Sequence, residues 1–316
     1  MGNIAMVSQH NPAIQPLDPW KHGPAVLKLF AEDFGGDGQG DLGITDDFAP
    51  AGLVEIDDSA GFVWLEGSEV RGAITCLPNP ARKDTWIIAN LVTDMRFRRR
   101  GIGRALLDAA TQFIAKQGVT YAALQVDKKN AAAVGLYKRA GFEVIGEMVR
   151  YTMTPKTMLT PIKRIEVRRA GPQDAGAIWR LAIATYPESL GFAEPLDLEG
   201  FRLKSPRFWQ RKSMDAPMVF VDASSPDTGA VLVREESLDG VRRRFELRPI
   251  FSHRMAAALA AGFVVSVVRG LEIEAQDEVV GTGPSSDLVG QLAFAAGAFS
   301  VTRAFIHMRT EVRRVD

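Results

Sequence analysis

The chain has 316 residues, 46% of them apolar, with 38 basic and 38 acidic side chains and a formal net charge of zero. This length predicts two domains, and the balanced charge excludes a global pull toward nucleic acid or an anionic membrane, so any basic site must be local. A lone cysteine, Cys76, excludes an internal disulfide or thiolate metal cluster within one chain, while the lack of any apolar run of about 18 residues and of a signal pattern in Met1–Pro16 predicts a cytoplasmic protein.

In chain order, Ile14–Leu17 reads as a strand and Lys21–Phe34 as a helix with Val26, Leu27, Phe30 and Phe34 at helical spacing. Gly35–Asp47 has no apolar period and reads as a loop. Its acidic residues, with Asp33, lack the D-x-D-x-D-G order of a calcium loop, so no metal site is expected; the loop is either solvated or borders a site for a cationic amine. Gly61–Trp64 and Ala73–Leu77 form an antiparallel pair that continues into Trp86–Val92. Cys76 lies in this apolar run without a basic neighbour and reads as a buried small side chain.

Arg98-Arg99-Arg100-Gly101-Ile102-Gly103 then leads into a helix, Gly103–Lys116, with Leu106, Leu107, Ala110 and Phe113 on one face and Gly118 at its end. A strand that turns into a glycine-rich helix start presents unpaired N–H groups and the positive end of the helix dipole to one point. Glycines without Cβ allow an anion close to the backbone, and arginines add charged donors. This is the layout of a phosphate cradle; a nucleic-acid patch would need no such turn. Tyr121–Val126 reads as a strand, Ala131–Arg139 as a helix, and Phe142–Thr154 as one or two further strands.

Pro155 and Pro161 place a linker at 155–164. The second half repeats the opening of the first: strand Ile165–Arg168, a helix opened by Pro172-Gln173-Asp174, a hairpin of Met218–Val221 and Ala230–Val233, strand Phe245–Phe251, and helix Met255–Val268. Phe201, Phe208, Trp209 and Trp179 read as core aromatics, and Arg202–Lys212 as a surface helix. His10, His22, His253 and His307 show no ligand spacing. Aligning Gly297 with Gly141 sets Ser286 against Asn130 and Ala293 against Tyr137, and Ser252-His253-Arg254-Met255 replaces the glycine turn.

Arg98-x-x-Gly101-x-Gly103 resembles the R/Q-x-x-G-x-G/A signature of the Gcn5-related N-acetyltransferase (GNAT) superfamily. Asn130, Ala133, Leu136, Tyr137, Gly141 and Phe142 reproduce its N-x-x-A-x-x-L-Y-x-x-x-G-F pattern. The resemblance implies an α/β fold, a twisted mixed sheet flanked by helices, in two tandem GNAT-like domains: an acetyl-CoA-binding domain over 13–154 and a degenerate copy over 165–316. It further implies that Arg98, Arg99, Arg100, Gly101, Ile102, Gly103 and Arg104 hold the pyrophosphate, and that Leu91, Val92 and Thr93 meet the pantetheine amides. Asn130 would bind the pantetheine arm, and Tyr137 would protonate the leaving sulfur. The implied reaction is acetyl transfer from acetyl-CoA, as co-substrate, to a primary amine of a small molecule or protein by direct attack, with no metal, nucleic acid or membrane involved. Similar ribosomal-protein alanine acetyltransferases carry a glutamate where this chain has Gln125, so Asp127 or ordered water is left as the base. The alternatives are a mycothiol-synthase-like tandem with its chemistry in the C-terminal half, and a non-catalytic acyl-CoA sensor.

Overall fold

The computed structural model describes residues 13–34, 60–153, 165–192, 218–238 and 240–312. The expected loop Gly35–Asp47, the linker 155–164 and the stretch holding Phe201, Phe208 and Trp209 lie outside them.

The first half runs β1 (Ile14–Pro16), α1 (Pro19–Phe34), β2 (Ala60–Glu66), β3 (Glu69–Pro78), β4 (Thr85–Thr93), α2 (Ile102–Lys116), β5 (Tyr121–Asp127), α3 (Ala131–Arg139) and β6 (Glu143–Met153). The second half runs β7 (Val167–Arg169), α4 (Ala175–Thr185), β8 (Met218–Asp222), β9 (Gly229–Ser237), β10 (Arg243–Phe251), α5 (Ala257–Gly270), β11 (Glu278–Pro284), α6 (Leu288–Ala296) and β12 (Phe299–Glu311). The expected elements are all present where described, with Phe142–Thr154 as one strand. Pro172–Asp174 forms a separate 3-10 turn ahead of α4, fixed by the Asp174 carboxylate, which accepts from Gly171 N at 2.8 Å and from both Arg168 amino groups at 2.7 and 2.9 Å.

The twelve strands of the described residues join one sheet in the order β1-β2-β3-β4-β5-β12-β6-β11-β10-β9-β8-β7. The halves exchange their last strands. β12, at the end of the second half, pairs antiparallel with β5 of the first, while β6, at the end of the first, pairs antiparallel with β11 of the second. β6 and β12 also pair with each other, so the backbone groups of both are satisfied from both sides.

Each half packs helices on both faces of its sheet. In the first, α2 lays Leu106, Leu107, Ala110 and Phe113 against Phe62, Ile74, Trp86 and Leu124. Phe113 meets Phe62 and Trp86 edge to face at 6.0 and 5.4 Å. On the opposite face, α1 packs Val26, Leu29 and Phe30 on Val63, Ala73 and Val92. The second half repeats this with Phe263, Val264 and Val267 of α5 on one face and Ile178, Leu181 and Ala182 of α4 on the other. Cys76 is fully buried in the first core, and burial pushes its thiol up to about 12, which removes it from nucleophilic chemistry.

Candidate active site

The site begins where two parallel strands part. β4 and β5 pair from Thr85↔Tyr121 to Ile88↔Leu124 and no further, although β4 runs on to Thr93 and β5 to Asp127. Asn90 causes the divergence: its φ is +55°, and the β3–β4 register shifts around it. A left-handed residue within a strand makes a bulge that bends it, and Asn tolerates that conformation better than most non-glycine residues. The expected pantetheine-facing residues Leu91, Val92 and Thr93 lie in the part of β4 that has left β5.

Below the gap lies the glycine turn. Arg99 has φ +66° and Gly101 φ +83°, and Gly101 caps α2 without a side-chain hydrogen bond, the first helical bond being Ala105 N to Gly101 O at 3.0 Å. Helix geometry leaves the N–H groups of Ile102, Gly103 and Arg104 without an intrahelical acceptor. A Cβ on Gly103 would stand 3.6 Å from both Thr93 Oγ1 and Leu136 Cδ2, so Gly103 links the end of β4, the start of α2 and the flank of α3.

The arginines divide their work. Asp94, 3% exposed, binds the Arg96 guanidinium at 2.8 and 3.0 Å and that of Arg71 at 3.1 Å. The hydrogen bonds from Arg96 hold its carboxyl down at about 2. Arg71 and Arg100 cover the Phe97 ring at 4.2 and 4.6 Å, which stiffens the turn ahead of the glycines. Arg98 pairs with Asp33 of α1 and donates to the Thr93 carbonyl at 3.3 Å. Arg104 bonds Asp108 at 2.9 Å and the Arg139 carbonyl at 3.1 Å. Arg98 and Arg104 therefore brace the turn against α1 and α3. Among the described residues the Arg99 guanidinium has no ion-pair partner, and it is the one left available to an anion.

Asn130 caps α3, its Oδ1 accepting from Ala133 N at 3.0 Å, which leaves its Nδ2 as a donor. Tyr137 is 7% exposed in the first core, 5.9 Å from Phe142. Burial pushes its hydroxyl up to about 12, so it stays protonated at neutral pH. Asp127, one of the two groups left as base, is already engaged. Its Oδ2 accepts from Arg303 of β12 at 2.8 and 3.0 Å, and its Oδ1 from Lys129 N at 2.7 Å.

The second half also forms a cleft, with β10 and β11 pairing only as far as Leu247↔Gly281. A small cleft open to solvent lies there between Met148, Tyr186, Arg248, Pro249, Thr282 and Asp287. Its helix α5 starts at Ala256 with φ −66° rather than at a left-handed glycine. The register expected for α6 is off by one residue. Asp287, not Ser286, caps it, accepting from Gly290 N at 3.0 Å as Asn130 accepts from Ala133 N. Phe294, not Ala293, therefore matches Tyr137, stacking on Tyr151 at 4.6 Å and facing Phe299 at 5.0 Å. The conclusion that this half lacks the amide and the phenol stands with the corrected residues.

A turn of the second half covers the first. Glu188–Phe192 is a 3-10 helix whose Gly191 and Phe192 carbonyls accept from the Asn79 amide at 3.0 and 2.9 Å. Phe192 lies under the Arg82 and Arg309 guanidinia at 3.8 and 4.3 Å and edge-on to Tyr121 at 5.2 Å. Leu190 sits on Gly146, where a Cβ would approach it to 2.4 Å.

This layout, two parted parallel strands twice in one sheet, with a helix that starts at a left-handed glycine under the first pair, is that of a tandem GNAT fold. It is shared with a GNAT N-acetyltransferase from Sphaerobacter thermophilus (TM-score 0.64, 17% identity, 95% of each chain covered). The tandem GNAT protein from the clavulanic acid biosynthesis pathway is likewise similar (TM-score 0.62, 14% identity, 96% of this chain and 99% of that one). Residues 24–142 match the acetyltransferase (GNAT) family, and this part of the chain is a domain of that family. In sequence, the chain is similar to mycothiol acetyltransferase of Propionibacterium freudenreichii, with 34% identity over 108 residues, 33% of this chain and 31% of that protein. The chain spans between about a third and two-fifths of the curated relatives first matched. Among the described residues no helix is long and apolar enough to cross a membrane.

Proposed function

We propose that residues 13–154 form an acetyl-CoA-dependent N-acetyltransferase domain that acetylates a primary amine by direct attack, and that 165–316, joined by the linker 155–164, is a degenerate copy that walls the acceptor side. The observation that carries this reading is the conjunction at Gly103, where the parted strand end at Thr93, the glycine turn and the flank of α3 meet. The donors present fit a coenzyme pyrophosphate. The Ile102, Gly103 and Arg104 N–H groups start a helix without Cβ at positions 101 and 103, and Arg99, two residues ahead of Gly101, adds a guanidinium with no ion-pair partner among the described residues.

Acetyl-CoA supplies an acetyl thioester, whose C–S bond breaks as the amine nitrogen bonds to the carbonyl carbon. The chain's own groups bind and orient. The exposed edge of β4 from Leu91 to Thr93 offers backbone N–H and C=O to an extended arm, as a strand would, and Asn130 Nδ2 offers a further donor. Tyr137 gives its phenolic proton to the sulfur as negative charge develops there, and its raised pKa keeps that proton in place until then. With Gln125 unable to take a proton and Asp127 bound by Arg303, ordered water remains as the route for the amine proton.

Incubation of the full chain with acetyl-CoA and a panel of primary amines, read by thiol release, tests the reaction. Coenzyme A should bind at one equivalent per chain and be lost in Gly103→Asp. A second equivalent surviving that substitution would favour a mycothiol-synthase-like arrangement that uses the second cleft. Binding without turnover for any amine would favour the sensor.

A further inference from the structure

Asn90 does more than bend β4. Residues on the α2 face of β4 are Trp86 and Ile88, and after the bulge Leu91 returns to that face, packing on the same core. Thr93 lies there too, at the Gly103 position. Asn90 faces the other way, because its Nδ2 donates to Thr75 Oγ1 at 3.1 Å, and Thr75 lies one residue from Ile74 and Cys76, which point into the α2 core. The gap between β4 and β5 thus has the glycine turn on one face and Asn90 on the other.

The amide's orientation is set by its neighbour. Thr75 Oγ1 gives its proton to the Ala89 carbonyl at 3.1 Å, so toward Asn90 it can only accept, and the amino group, not the oxygen, must face it. The three bonds of the amide carbon lie in one plane at about 120° to one another. With nitrogen aimed at β3, the oxygen lies on the other side of the amide, the side toward β5. Among the described residues Asn90 Oδ1 has no hydrogen-bond partner and is buried, on a residue 9% exposed. A buried carbonyl oxygen without a donor is a costly group that folded proteins rarely keep unless something completes it. Across the gap Gln125 of β5 projects to the same face as Ala123, whose side chain packs with Phe192 of the covering turn. Gln125's cross-strand neighbour is His307 of β12.

We propose that Asn90 Oδ1 is the acceptor that receives an N–H of the incoming primary amine, on the face of the gap opposite the coenzyme. This rests on the reading of the first half as an N-acetyltransferase and adds the group that holds its acceptor. The chemistry fits the task. An amide oxygen accepts a hydrogen bond from an ammonium and, once ordered water has taken one proton, from the neutral amine, so it orients the nitrogen and leaves the freed lone pair for the carbonyl carbon. An alcohol would satisfy it with a single O–H, whereas a primary amine has a second N–H for water or Gln125. The selected class is therefore small or terminal primary amines that reach the gap from the α1 face.

Asn90→Gly is the informative variant, because glycine keeps φ +55° without strain and removes only the amide. In the full chain it should raise KM for the amine about ten- to a hundred-fold, the range expected for a hydrogen bond to a charged group, while the Kd of coenzyme A stays the same. An unchanged amine KM, or an equal loss of coenzyme A affinity, would overturn the assignment. A readout independent of turnover is the side-chain amide NMR signal of Asn90 in coenzyme A-loaded wild type, assigned by its absence in Asn90→Gly. Titration with n-butylammonium chloride should move it, and an unmoved signal would overturn the proposal. Failure of the wild type to bind coenzyme A or to acetylate any amine would instead sink the acetyltransferase reading.

Discussion

Phe294 stands to Asp287 in the second half as Tyr137 stands to Asn130 in the first: each aromatic ring lies on a helix whose cap accepts from the backbone N–H three residues on. The two rings differ by one oxygen atom. The molecule thus carries, in its own second half, the side chain that would test the role of that oxygen in its first.

Tyr137→Phe should lower turnover by about 10²–10⁴-fold, the usual loss of a general acid, with coenzyme A affinity nearly unchanged. The phenol is buried against Phe142 in the apolar core, so Phe fills its place and the fold is kept. Steady-state kinetics beside calorimetric titration check this, and equal turnover in the two proteins would remove Tyr137 from the reaction.

Gly103→Asp should abolish coenzyme A binding in a folded protein. A Cβ there meets its neighbours at ordinary contact distance, 3.6 Å, so the backbone accepts it, but the carboxylate opposes an incoming phosphate. Gly101→Ala should act differently. Its φ of +83° disfavours any Cβ, so the fold should lose roughly 1 kcal/mol or more, measured by denaturant titration.

Asp94 links stability to pH. Its carboxyl titrates at about 2 in the folded protein against 3.8 ordinarily. A depressed value means that the contribution is complete above pH 3.8 and fades as pH falls through about 2. Asp94→Asn should therefore lower Tm at neutral pH, and the difference from wild type should shrink on acidification across that window. A constant difference down to pH 2 would mean that the Arg71 and Arg96 contacts contribute nothing through charge.

The exchanged strands predict that the halves depend on each other. Residues 1–164 made alone would carry β6 but not β12, leaving the edge of β5 uncovered, a state prone to aggregation. Co-expression with 165–316 should restore a soluble pair that binds coenzyme A, whereas a stable, monomeric 1–164 would show that β6 can take the place of β12 beside β5.

Asn79→Ala should loosen the covering turn. It removes the donor for two carbonyls in a buried setting, a cost of about 1–3 kcal/mol, and hydrogen exchange over 188–192 should rise while the rest of the second half stays protected.

Local order was legible in the sequence because it is set locally. The apolar period of Leu106, Leu107, Ala110 and Phe113 defined α2, and the spacing of Gly101 and Gly103 marked the turn, since positive φ and close backbone approach both require glycine. Asn130 was recognisable by its pattern, and it caps α3. Asn90, an amide inside an apolar strand, was a signal in plain view, but its effect depends on Thr75, fifteen positions away and across a strand pair. The echo near Gly297 was legible too, yet counting back from the glycine put it one residue off. That alignment assumed the glycine holds the same place at both helix ends, whereas Gly141 follows the capping residue Ala140 of α3 and Gly297 is itself the capping residue of α6.

What the sequence by itself determined, then, was the set of elements, the glycine turn and the loss of the phenol in the second half, all carried by neighbours within one or two helical turns. Only the tertiary structure decided that Arg98 is spent on Asp33 and Arg71 on Asp94, that Arg303 of β12 claims Asp127, and that the halves trade β6 for β12. Ion pairs and strand ladders form between residues far apart in the chain, and a strand edge accepts any partner of compatible register. Period and spacing carry no record of which partner arrives.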